Sequence, residues 1–224
     1  MRAWEFAKID YIKTKQQMVM LPVLLLVIVT IMEISKEGNV NGVTLFCYMI
    51  FMMTIFSTQA FGACRQQESG FLRLLPADTR DRVAGRFLYG FTMMCIAAGM
   101  GIGTQIIYRA RGYAATSLDF PLCLIGFALG MLIMTAEFVF FYLFGENQGQ
   151  QLLGIVRTLP GMCFFFATAN LSSAIMEEPE KIAYIMQNIG SWLRVLAWGS
   201  AALSMVVFLA AIELCVKVTE KRDY

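Results

Sequence analysis

Six stretches of mostly apolar residues divide this chain, and they constrain its fold more than any other feature. They run over about 18–34, 43–63, 83–107, 121–144, 152–171 and 195–216. An α-helix rising about 1.5 Å per residue crosses the roughly 30 Å hydrocarbon core of a bilayer in about 20 residues. A helix also satisfies its backbone polar groups internally, as a lipid environment demands. The pattern predicts an all-α membrane protein with six transmembrane helices. Composition agrees: of 224 residues, 58% are hydrophobic and 15% charged, where a soluble domain carries about a quarter charged. The whole chain, 1–224, reads as a single transmembrane domain without internal repeats. The first run lies too far from the start, and lacks the following small residues, to read as a cleavable signal peptide.

Lysine and arginine set the orientation, because they collect on the cytoplasmic side. With the N-terminus inside, that side receives Arg2, Lys8, Lys13, Lys15, Arg65, Arg73, Arg80, Arg82, Arg86, Arg157, Lys217, Lys221 and Arg222. The outside receives Lys36, Arg109, Arg111, Lys181 and Arg194. Both termini are therefore expected in the cytoplasm, with 217–224 as a cytoplasmic tail. The last outer loop, with Glu177, Glu178 and Glu180, is acidic. The net charge of +2 argues against bulk binding to nucleic acid.

The chain has no histidine. That removes the usual general base, histidine-dependent triads and most zinc sites. The six cysteines are scattered without a Cys-x-x-Cys pair and read as small buried apolar residues. The 16 methionines read first as packing filler and second as an adaptable surface for a substrate. No catalytic residue, metal site or cofactor site is evident.

Residues 1–16 form a short mixed lead-in. Trp4, Ala7 and Tyr11 share a helical face bordered by Lys8 and Lys15, which predicts a helix along the inner membrane interface.

The loop at 64–82 is the most distinctive segment. Phe71, Leu72, Leu74 and Leu75 are too apolar for a free loop and need a partner surface or the membrane. Pro76 breaks the local helix. Asp78 stands where an N-cap belongs, with Asp81 three residues on, so a helix starting at Thr79 would run straight into the third span.

The stretch LRLLPADTRDRVAGRFL resembles a motif of the small ABC-2 type transporter permeases. That family carries an acidic residue, a Leu-Leu-Pro element, a capping residue, basic residues, and a Gly-Lys/Arg-aromatic lead into the third span. Here these features fall on Glu68, Leu74, Leu75, Pro76, Asp78, Arg80, Arg82, Gly85, Arg86 and Phe87. The segment FFYLFGENQGQQLLGIV is similar to the family's Phe-Gly, polar turn and fifth span. Family members often have basic residues in that turn, whereas Glu146, Asn147, Gln148, Gln150 and Gln151 carry none.

The resemblance implies a permease subunit in a bacterial cytoplasmic membrane. A second copy or a paralogue would pair with it, and a separate ABC ATPase in the cytoplasm would bind ATP and Mg. No Gly-x-x-x-x-Gly-Lys-Ser/Thr occurs in this chain. The loop between spans two and three would be the coupling element, with Glu68, Arg73, Leu74, Leu75, Pro76, Asp78, Arg80 and Arg82 engaging the ATPase. The cargo would be amphipathic or apolar, such as a peptide, drug or lipid, and export is favoured over import.

Glu137, Arg157 and Glu213 lie within apolar runs, where charge is expensive and often functional. Glu137 and Arg157 are expected to pair, with a substrate-contacting carboxylate as the alternative for Glu137. Arg157 and Glu213 lie near span ends and could snorkel. Gly99, Gly101, Gly103, Gly126 and Gly130 permit close helix approach, within one chain or between two. Two other functional classes fit the spans. One is a non-transporting membrane scaffold or immunity protein. The other is a membrane-embedded enzyme, but a CAAX-type protease needs histidines, and phospholipid synthesis needs aspartate clusters that are not evident.

Overall fold

The computed structural model describes residues 3–12, 14–15, 42–62, 78–110, 118–145 and 179–223. The expected spans at 18–34 and 152–171 lie outside them. Five helices are found among the described residues, and no strand. Helix α1 covers 3–15 apart from residue 13, and α2 covers Gly42–Gly62. Helix α3 covers Thr79–Ala110, α4 Asp119–Gly145 and α5 Pro179–Asp223. Three stretches are long and apolar enough to cross a membrane: Thr79–Ile107, Asp119–Gly145 and Gly190–Lys221. At 21 residues, α2 reaches about 30 Å by helical rise, and Gly42–Thr58 within it is apolar. Four of the six expected runs are thus helical where hydropathy placed them.

The helix ends follow local chemistry. Asp78 precedes α3 as the expected cap: its carbonyl accepts from the Arg82 amide at 3.2 Å, and its Oδ1 accepts from the Arg80 amide at 3.5 Å. Asp81 in the first turn complements the helix dipole. At the far end of α4, Gly145 adopts a φ of 75°, the left-handed conformation that terminates helices at glycine. This gives a physical reason for the Phe144–Gly145 pair.

Helix α5 departs from expectation. It was expected to begin near residue 195, with a loop before it and a tail from 217. Instead one helix of 45 residues passes through both segments. Pro179 suits a first helical turn, where its missing N–H is no loss. After it, no glycine or proline intervenes until Gly190. Without either helix breaker in that stretch, the helix continues into the apolar run.

The interior is built on aromatic rings and methionines. Phe87 is fully buried and meets Phe138 at 5.2 Å, Phe208 at 5.5 Å and Tyr142 at 6.4 Å between ring centroids. It therefore ties α3 to α4 and α5 at once. Met53, Met93, Met94, Met131 and Met134 are buried around it, in the filler role expected of them. Cys47, Cys123 and Cys215 are buried free thiols, and Cys95 is exposed. Lipid supplies no hydrophobic drive between helices, so close packing must hold them together.

Several glycines permit that packing, Gly101 and Gly130 among them. A methyl group at Gly101 would lie 2.5 Å from the Phe46 ring, and one at Gly130 would strike Ile50 and Met94. Gly99 and Gly103 instead face open space, so intramolecular packing accounts for only part of the glycine pattern. Hydroxyls along the spans are satisfied within their own helices. Thr54, Ser57, Thr92, Thr104, Thr135 and Ser204 each donate to a carbonyl three or four residues earlier, as a lipid-embedded helix requires.

Candidate functional site at the start of α3

Arginines gather at the first turns of α3, and two other helices reach them there. The closest approach is made by α1. A Cβ at Gly85 would lie 2.5 Å from Phe6 Cβ and 2.6 Å from the Ala3 carbonyl oxygen. Only a residue without a side chain lets the two backbones meet this closely. One step on, Arg86 Nε is 3.8 Å from Asp10 Oδ2, with the Asp10 side chain 4% exposed. The Tyr142 side chain lies near the same guanidinium, so Arg86 is close to both α1 and α4. Farther along, the Tyr89 hydroxyl donates to Thr14 Oγ1 at 2.9 Å. Tyr11 packs edge-on to Tyr89 at 5.6 Å. Burial raises the Tyr11 phenol above its ordinary pKa.

Helix α1 is therefore present; of the face expected at the membrane interface, Trp4 is exposed and Ala7 is buried. Phe6, Asp10 and Thr14 are buried with Ala7, and Ile12 is exposed. Asp10 and Thr14 turn inward because Arg86 and Tyr89 wait there. A face chosen by aromatic and apolar residues passes over them.

The third tie comes from α5. Arg80 Nη2 is 2.6 Å from Glu213 Oε1, and both side chains are more than half exposed. Glu213 does not sit in lipid alone; it meets the arginine that follows the α3 cap. Arg82 is partly buried one turn into α3. Glu137 is fully buried in α4. The other expected site residues, Glu68, Arg73, Leu74, Leu75, Pro76 and Arg157, lie outside the described residues. Among described residues, no group of histidine, cysteine or acidic side chains could hold a metal ion.

The sequence reading overlooked Asp10, Thr14 and Tyr89 as partners. A lone acid between Ile9 and Tyr11, recurring with Ala3, Ala7 and Thr14 at helical spacing, was the available signal. The Gly85-Arg86-Phe87 triplet now has three separate roles. Gly85 admits α1, Arg86 holds Asp10, and Phe87 centres the core.

The long apolar helices, with a charged cluster at one end of them, are those of an all-helical membrane protein. A model of the ABC-2 family transporter proteins matches residues 7–220, and the chain belongs to that family. Comparison with curated proteins gives no match, and comparison with solved structures gives none.

Proposed function

We propose that the chain is the permease subunit of an ATP-driven exporter that moves an amphipathic or apolar cargo by alternating access. A separate ABC ATPase docks on the segment at 64–82 and supplies ATP and Mg, and a second permease copy completes the pathway. Both termini lie in the cytoplasm, on the side of α1 and the start of α3. Family membership supports the transport role. The observation that carries the coupling role is the unbroken helix from the Asp78 cap into α3, with α1 and α5 fixed to its first turns. A push on the segment before Asp78 would move α3 as a rod and take α1 with it. The apolar Leu74 and Leu75 supply the anchor, and the arginines form its rim, a pattern suited to an interface.

The test is to replace Leu74 and Leu75 with Asp and to co-express and purify the chain with a candidate stand-alone ABC ATPase that co-purifies with the unaltered permease. The substituted permease should insert normally but lose the ATPase. Retained co-purification together with retained stimulation of ATP hydrolysis would refute the coupling role.

A further inference from the structure

At the opposite end of the bundle from α1, a groove of about 260 Å³ lies between the first turn of α4 and the upper part of α5. Phe120, Pro121, Arg194, Ala197 and Trp198 line it. We propose that this groove binds an anionic phospholipid, with the phosphate at Arg194 and an acyl chain against Trp198 and the apolar face of α5 below.

Charge is the first argument. This end carries two described arginines on α3 and α5 and one acid beside the groove, Asp119. Arg109 takes that acid, at 3.9 Å. Arg194 is exposed, and no described residue forms a salt bridge with it. Among the described residues, one cation lining the groove, Arg194, thus has no salt-bridge partner.

The second argument is the order of chemistry along α5. Arg194 precedes Trp198 by one helical turn, so both lie on the same face. Phe120 and Trp198 approach to 6.3 Å between centroids, and each is 63% exposed. Such large rings, half open, suit headgroup depth, where one edge meets apolar chains and the other meets water. Between Trp198 and residue 210, the exposed residues of α5 are apolar, with Leu203, Met205, Val206 and Leu209 among them. Cation, aromatic shelf and apolar track follow one another as headgroup, glycerol region and acyl chain do in a lipid. A soluble phosphate compound would use the arginine but leave the aromatic and apolar surfaces exposed. This site is independent of what the transporter carries.

The test uses the full chain with Trp4 and Trp192 replaced by Phe, which leaves Trp198 as the sole indole. The protein is reconstituted in nanodiscs with brominated-chain phosphatidylglycerol or brominated-chain phosphatidylcholine titrated over the same range of mole fractions, and Trp198 fluorescence is recorded. Phosphatidylglycerol should quench at about fivefold lower mole fraction, the scale of one basic side chain at an anionic surface. Arg194→Gln should abolish that preference, while Arg194→Lys should keep most of it. Glycerol 3-phosphate in solution should leave the quenching unchanged.

Equal quenching by both lipids would overturn the proposal, as would a preference that survives Arg194→Gln. Displacement by glycerol 3-phosphate would make the site one for a soluble anion. An indole shielded from both lipids would show that another protein, a second copy included, covers the groove.

Discussion

Gly85 of α3 and Phe6 of α1 stand so close that a single added carbon would leave 2.5 Å between the two side chains. The Ala3 carbonyl blocks the same space, so rotating Phe6 away would not relieve the clash. Gly85→Ala should therefore push α1 off α3. Overpacking of this kind costs about 1–3 kcal/mol. The expected result is a lower melting temperature in detergent and faster tryptic cleavage after Lys8. Unchanged cleavage would mean that α1 is not held by this contact.

A second prediction concerns the carboxylate buried in α4. Glu137 is 0% exposed, and Arg157 is proposed as its partner. Removing one member of a buried ion pair costs about 3–5 kcal/mol because the other charge is left stranded. Glu137→Gln and Arg157→Gln should each lower folded yield sharply. The double change should harm less than the two single effects combined. Strictly additive losses in a double-mutant cycle would reject the pair.

Sidedness can be read chemically. In a background without the six native cysteines, a cysteine at Lys181 should react with a membrane-impermeant maleimide in intact cells, and one at Lys217 only after permeabilisation. The reverse pattern would invert the topology and with it the docking side.

What the sequence made legible is what hydropathy and helix chemistry govern locally. The runs at 43–63, 83–107, 121–144 and 195–216 all coincide with helices, and Asp78 marked the start of α3 to the residue. Two features escaped. The packing of α1 on α3 did, because Asp10 and Thr14 meet Arg86 and Tyr89, partners far along the chain. The true length of α5 did, because hydropathy records solvent preference and not where a helix stops. At the candidate site, the arginines were found individually. That Arg80 meets Glu213 is a relation across 133 positions, which no local pattern encodes.

The length of α5 has a consequence for timing. Its 45 residues amount to about 68 Å at 1.5 Å per residue, more than twice the thickness of the apolar layer it crosses. No joint interrupts it between Pro179 and Asp223. Through Arg80 and Glu213, the start of α3 is fastened near one end of this shaft, and Arg194 rides near the other. On the proposed alternating-access reading, a displacement at the Arg80 end of α5 would be carried to the Arg194 end by one continuous helix, so the two ends would move in step.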